Sequence, residues 1–264
     1  MFRRFLSRAS PARDPRVPDG AVVWAVGDVH GRADLLRPLI ETILERADPG
    51  RRTVLVTLGD YVDRGPDSRG VLDLLCEAAR SPGLELIALR GNHDDRMHAF
   101  LTQPELGPAW CEFGGRAALS SYGVRAPLSR ADEEGWRRAS AELAAALPQQ
   151  HRAMLDGLRL STTLGDYFFV HAGARPGAPL DQQTADDLMW IREPFLSDRR
   201  PFERIVVHGH TPAETPHLDH RRINLDTGAY ATGVLTALRL EGAGRALLQV
   251  RSEAGRVLQS LTPA

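Results

Sequence analysis

Five short stretches of the 264-residue chain place Asp, His or Asn directly after an apolar run: Asp28 and His30, Asp60, Asn92 and His93, His171, and His208 and His210. Each side chain offers a hard oxygen or an imidazole nitrogen and none offers a thiolate, a donor set suited to Mn²⁺, Fe²⁺, Zn²⁺ or Co²⁺. Five donor-bearing loops exceed what one tetrahedral site requires, so two ions are implied. A carboxylate shared between them would hold the ions about 3.5–4 Å apart, and Asp60 is the candidate bridge.

The elements that must position these donors are short runs rich in Val, Ile and Leu at 21–26, 53–58, 84–89, 167–170 and 205–207, then 223–225, 235–240 and 246–250. The first three are each followed by a helical stretch, at 33–46, 68–80 and 95–101, the rhythm of a parallel sheet covered by helices. The last strands follow at short intervals and predict an antiparallel portion. In an open α/β sheet ligands sit beyond the carboxyl ends of the strands, where the donors stand. Between about 101 and 160 the strand signal vanishes, and 133–147 and 149–158 read as helices separated by Pro148, a helical cap-like insertion. The expected organisation is a flexible leader over 1–20 and a single domain over 21–264. The leader is rich in Arg and Pro and lacks the apolar core of a signal peptide.

Composition removes several function classes. The 33 basic and 34 acidic residues give a net charge of -1, so no global field recruits nucleic acid or anionic lipid. No lysine occurs, which excludes a Walker-type P-loop, a kinase ATP lysine and Schiff-base chemistry. Cys76 and Cys111 are too few and too far apart for a redox pair or a zinc cage, and both read as reduced thiols. No stretch approaches the length of a membrane span, so the expectation is a cytoplasmic protein with no stable membrane association and no nucleic-acid partner. The sequence leaves its oligomeric state open.

GDVHGR (27–32), GDYVDRG (59–65), GNHD (91–94), VHAG (170–173) and HGHT (208–211) occur in that order. Together they resemble the signature set of the calcineurin-like metallophosphoesterases. The full GDYVDRG form, and Pro212 following Thr211, resemble the phosphoprotein-phosphatase branch and its bacterial and phage-type serine/threonine phosphatases. The resemblance runs from about Val22 to Leu238, with WIRE (190–193) and LDTGAY (225–230) adding to it. It implies a four-layer α/β/β/α sandwich of two mixed β-sheets flanked by helices. It implies Asp28, His30 and Asp60 as ligands of a first divalent ion, and Asp60, Asn92, His171 and His210 as ligands of a second, with Mn²⁺ the leading metal. In the same pattern His93 is the general acid or the group that orients the leaving oxygen, Asp63 its hydrogen-bond partner, and Arg64 and Arg192 the phosphate clamp.

The residue chemistry agrees with that assignment. In-line hydrolysis of a phosphate ester needs a nucleophile at neutral pH, which a hydroxide held between two divalent ions supplies without a Ser or Cys nucleophile. Arg matches phosphate by bidentate hydrogen bonds, and a His held by a carboxylate protonates the leaving oxygen. The expected activity is hydrolysis of phosphate monoesters, first of phosphoserine or phosphothreonine in proteins. The alternatives are a symmetrical bis(5'-nucleosyl)-tetraphosphatase acting on diadenosine tetraphosphate, and a non-catalytic scaffold that keeps the fold. Strand alternation turns His208 to the same side as His210, as a residue behind the ligands. Asp226 and Tyr230 are candidate site wall. Trp110 and Phe113 in the insertion read as packing residues that could also shape a substrate rim, and Arg116 and Arg125 as solvated or as contacts for a second phosphate.

Overall fold

The computed structural model describes residues 14–253 and 256–264. Its elements in chain order are β1 (Ala21–Val26), α1 (Ala33–Glu45), β2 (Arg52–Thr57), α2 (Ser68–Ala78), β3 (Leu84–Ala88), α3 (Asn92–Phe100), α4 (Gly107–Trp110), α5 (Arg116–Ser121), α6 (Glu133–Ala146) and α7 (Gln149–Asp156). They continue with β4 (Ser161–Leu164), β5 (Tyr167–Val170), α8 (Ala185–Trp190), β6 (Ile205–His208), β7 (His217–Leu218), β8 (Arg222–Asn224), α9 (Ala229–Thr232), β9 (Val234–Glu241), β10 (Gly244–Glu253) and β11 (Arg256–Pro263).

Two mixed sheets result, as expected. The six-stranded sheet has the order β11-β10-β9-β1-β2-β3 and the five-stranded sheet β4-β5-β6-β8-β7. In the first, β1, β2 and β3 run parallel while β9, β10 and β11 form the antiparallel half. In the second, β5, β6 and β8 run parallel between two antiparallel edges.

Central strand β1 is buried along its whole length because both its faces are covered. The two-residue period of a strand sends Val22, Trp24 and Val26 towards the helices and Val23 and Ala25 towards the opposing sheet. In β5 the same alternation puts Tyr167 and Phe169 in the inter-sheet core and Phe168 and Val170 in the outer core with Leu188 and Phe195. The sandwich therefore has three apolar seams, one between the sheets and one under each helical layer.

Residues 101–160 do not stand off as a separate cap. Trp110, Leu119, Trp136, Leu143 and Leu155 bury into the same cluster as Leu36, Leu72 and Leu75, so the insertion thickens the helical layer over the first sheet. The expected leader lies in part outside the described residues. Residues 14–20 are docked rather than free: Val17 is buried and its N–H donates to Gly242 O at 3.1 Å, while Arg16 N–H donates to Asp166 at 2.9 Å. Among the described residues no helix is long and apolar enough to cross a membrane. Cys76 and Cys111 are buried and free.

Candidate metal centre

The donors meet where the carboxyl ends of the two sheets face each other. Asp28, Asp60, Asn92 and His93 follow β1, β2 and β3, while His171 and His210 follow β5 and β6. Glycines permit this approach: a Cβ at Gly59 would stand 2.5 Å from Gly91 N, and one at Gly209 would overlap the Asp28 carboxylate. Backbone strain is concentrated at the same place. The non-glycine residues with positive φ among those described are His30 (43°), Asp60 (52°), Asp63 (73°), Arg64 (65°) and His210 (65°). A left-handed conformation costs such residues about 1–3 kcal/mol each, and it persists where the surroundings fix a functional geometry.

Asp60 is the centre of the arrangement. One carboxylate oxygen lies 3.4 Å from His30 Nε2 and the other 3.4 Å from His171 Nε2. The ring tautomers follow from the opposite nitrogens. His30 Nδ1 must donate to Val62 O at 2.8 Å and His171 Nδ1 to Leu58 O at 2.9 Å, because a carbonyl only accepts. Both Nε2 atoms therefore turn lone pairs towards a carboxylate. Asn92 Oδ1 lies 2.9 Å from His171 Nε2 and 2.9 Å from His210 Nδ1, and the buried His210 Nε2 has no hydrogen-bond partner. Acceptors facing acceptors in a buried site are repulsive until a cation lies among them, and imidazoles whose far nitrogens donate to carbonyls are oriented as metal ligands are. Two groups have donor atoms mutually close enough to hold an ion, His30–Asp60–His93 and Asp60–His171–His210, with Asp60 common to both.

The electrostatics point the same way. Burial, with Asp226 and Asp60 nearby, drives the Asp28 carboxyl well above its ordinary value. Burial likewise pushes Asp226 up to about 6. Burial also opposes ionisation of Asp60, but the His171, His93 and His30 rings overcome it and hold that carboxyl low. Burial drops His30 and His210 to about 3 each, so their rings stay neutral and able to coordinate. Several buried carboxyls beside neutral imidazoles form an environment that divalent cations would stabilise.

Asp28 is brought to the site, but its two oxygens accept the His210 backbone N–H at 3.2 and 3.0 Å, and it is outside both tight donor groups. His93 donates from Nδ1 to Asp63 Oδ2 at 2.7 Å. Burial lowers the basicity of His93, yet Asp60 and Asp63 outweigh it and its pKa is raised. Arg64 lies across the mouth: NH1 donates to His30 Nε2 and NH2 to His93 Nε2, each at 3.0 Å, and the guanidinium stacks 4.7 Å from the Tyr230 ring centroid. Arg192 lines the same cleft, of about 340 Å³, with Arg64, Arg96, Trp190, Trp110 and Phe113.

The expected orientation of His208 is corrected. β6 ends at His208 and His210 is left-handed, so strand alternation does not carry across. His208 instead shares the outer face with Val206, stacks edge-on against Phe195 with centroids 4.9 Å apart, and meets Arg222. Asp226 and Tyr230 both belong to the site wall: Asp226 stands beside Asp28, and the Tyr230 and His30 ring centroids are 5.3 Å apart. Asp94 and Arg96 carry site geometry that spacing did not assign. The signal for Asp94 was its place three residues after Gly91, where its Oδ2 accepts the Gly91 N–H at 3.1 Å.

Residues 21–238 match the family described as calcineurin-like phosphoesterase. The chain belongs to that family. A serine/threonine-protein phosphatase 1 of Salmonella typhimurium is 30% identical over 225 residues, covering 83% of this phosphoesterase and 92% of the relative. A bis(5'-nucleosyl)-tetraphosphatase of Anoxybacillus flavithermus, designated asymmetrical, is 26% identical over 237 residues, covering 81% and 88%. Among solved structures, one provisionally titled a diadenosine tetraphosphatase superposes on this phosphoesterase with a TM-score of 0.60 at 21% identity, covering 95% of this chain and 99% of the other. The family uses divalent metals, in keeping with the donor groups around Asp60.

Proposed function

We propose that this phosphoesterase hydrolyses phosphate monoesters, with phosphoserine or phosphothreonine of proteins as the substrate class. The observation that carries the reading is the Asp60 carboxylate set between two imidazoles whose lone pairs face it, at the floor of a cleft edged by arginines. Asp28, His30 and Asp60 would hold one divalent ion, and Asp60, Asn92, His171 and His210 a second, with Mn²⁺ the first choice. Bound there, such ions supply Lewis acidity and a water activated at neutral pH.

The chain's own residues do the rest. Arg64 and Arg192 bind and orient the phosphate, offering paired N–H donors to its oxygens as negative charge builds. In the free site Arg64 donates to His93 Nε2; as Arg64 turns to the phosphate, His93, held by Asp63 at Nδ1, takes up a proton at Nε2 and presents it to the departing oxygen. As the ester P–O bond breaks and a P–O bond to water oxygen forms, the leaving oxygen takes a proton from Nε2, and the proton lost by the water restores the histidine. A histidine in this role contributes about 10²–10⁴ in rate.

A specific observation favours a second reading. The Arg96 guanidinium stacks on Trp190 at 5.1 Å, and Phe113 is 67% exposed on the same cleft. A further cation and open aromatic faces suit a dinucleoside tetraphosphate, the substrate named for the Anoxybacillus relative. The deciding experiment strips the protein of metal, reloads it with Mn²⁺ and follows turnover of a phosphothreonine peptide and of diadenosine tetraphosphate in parallel, with His93→Ala as control. Preference for the peptide is the expected result. Preference for the dinucleotide moves the assignment to the second reading, and a protein that turns over neither substrate overturns both.

A further inference from the structure

The indole of Trp110 belongs to the insertion and to none of the motifs, yet its Nε1–H donates to Asp63 Oδ2, 47 positions earlier in the chain, at 2.8 Å. That oxygen also accepts His93 Nδ1–H at 2.7 Å, while Asp63 Oδ1 is buried without a partner. Asp63 is fully buried and Trp110 is 2% exposed. Two donors on one oxygen, and none on the other, fix the rotation of the carboxyl group and so the direction in which it aims the His93 ring.

The seat of Trp110 is built for this contact. Its ring packs 5.0 Å from that of Phe100, and a Cβ at Gly115 would stand 2.5 Å from indole atoms Cδ2 and Cε2, so only glycine leaves room there. Just beyond Trp110 the chain takes a π-helical turn over Cys111–Gly115, in which Gly114 has φ 117°. That turn delivers Gly114 O to the Arg64 N–H at 3.2 Å. The insertion thus holds both members of the left-handed Asp63–Arg64 pair, one through its side chain and one through its backbone.

We propose that Trp110 is a positioning residue for proton donation to the leaving group, acting on His93 through Asp63. The inference rests on the assignment of His93 as general acid under the proposed function. Without the indole N–H the Asp63 carboxyl is free to turn its unpartnered oxygen towards His93, and the imidazole loses its fixed aim. The loss falls on substrates whose leaving oxygen is strongly basic and must be protonated as it departs. A nitrophenolate, which leaves as a stable anion, is much less affected.

The test compares kcat for a phosphothreonine peptide with kcat for p-nitrophenyl phosphate in Mn²⁺-loaded protein and reads their ratio. Trp110→Phe keeps the ring packing and removes only the donor. Gly115→Ala keeps the donor and displaces the indole, which guards against a folding failure of the first variant. Both are expected to lower the peptide-to-aryl ratio by about 10-fold with the peptide KM little changed, the scale of losing a hydrogen bond behind a catalytic group. A merely structural contact would lower both activities in parallel and leave the ratio unmoved, which overturns the proposal. Asp63→Asn separates the two levels of argument. If it lowers the ratio and neither Trp110→Phe nor Gly115→Ala does, the role of Trp110 fails and the Asp63–His93 pair stands. If Asp63→Asn itself leaves the ratio unmoved, the acid assignment falls and the inference falls with it.

Discussion

The carboxylate of Asp94 accepts the backbone N–H of Asp60 at 2.7 Å, and its other oxygen accepts the N–H of Tyr61 at 2.9 Å. Asp60 is left-handed, so its peptide cannot join the β2 ladder and needs another acceptor. Asp94, from the first turn of α3, supplies it and also takes the Gly91 N–H. Asp94→Ala leaves these three buried donors unpaired and is expected to destabilise the protein by roughly 3 kcal/mol or more. Urea unfolding combined with metal analysis checks this, since displacement of Asp60 must lower bound Mn²⁺ as well. Full stability and full metal content in the variant would contradict the role.

Metal loading should appear as stability. A ligand present at 100 times its Kd adds about 2.7 kcal/mol, and for a chain of this size each kcal/mol shifts Tm by about 2–4 °C. Mn²⁺ is therefore expected to raise Tm by about 5–10 °C over chelator-treated protein. In Asp60→Asn the shift should shrink or vanish, because both donor groups share that carboxylate. Differential scanning calorimetry with and without chelator reads the outcome, and an unchanged shift in the variant would remove Asp60 from the centre.

Much of this was legible from strand-end chemistry. The parallel and antiparallel strands, the insertion and the grouping of Asp28, His30, Asp60, Asn92, His93, His171 and His210 follow from apolar runs that stop at polar loops, whereas the division into two sheets comes from the resemblance carried by the motifs. What escaped did so for local reasons. α3 begins at Asn92, not at 95, because the Gly91–Asp94 contact opens the helix on the motif itself, which places Asn92 and His93 in its first turn. β4 reads STTL and shows no apolar run, and β11 is an edge strand paired only with β10 and exposing Val257, Leu258 and Leu261. Alternation misplaces His208, which packs against Phe195, because the left-handed turn at His210 is a tertiary property that a two-residue period does not report.

Arg96 distinguishes the two substrate readings. Its guanidinium rests on Trp190 beside the cleft, whereas neighbouring Arg90 pairs with Asp95 at 3.6 Å. If a second phosphate binds there, Arg96→Ala should raise KM for diadenosine tetraphosphate by about 10-fold, the size of one lost charge-assisted hydrogen bond. The phosphothreonine peptide should change by less than about twofold. Steady-state kinetics on both substrates decide it, and equal effects would deny Arg96 a selective role.

Acid sensitivity has a local component in the β7–β8 hairpin. Burial raises the Asp219 carboxyl, but the Arg222 N–H, the His217 ring and the Arg221 N–H outweigh it and bring the pKa to about 2. Because the folded value is depressed, the contribution is complete above the unfolded value near 4 and is lost as pH falls towards about 2. The side chain is 36% exposed, so solvent screening limits the effect to roughly 1 kcal/mol or less. Asp219→Asn should be less stable than the parent at pH 6, and the gap should close between pH 4 and pH 2. A gap that stays constant over that range would exclude the carboxylate charge as its source.

The donor loops arise from both sheets, and His210 N–H already reaches across to Asp28 as His171 Nδ1–H does to Leu58 O. A cation held by Asp60, His171 and His210 would be gripped by both halves of the sandwich and would rivet that end. The opposite end is closed by apolar contact among residues such as Val17, Leu164 and Leu240. Loss of such a cation would therefore be felt across the seam between the sheets and not only among its ligands, because the residues that would hold it are carried by both.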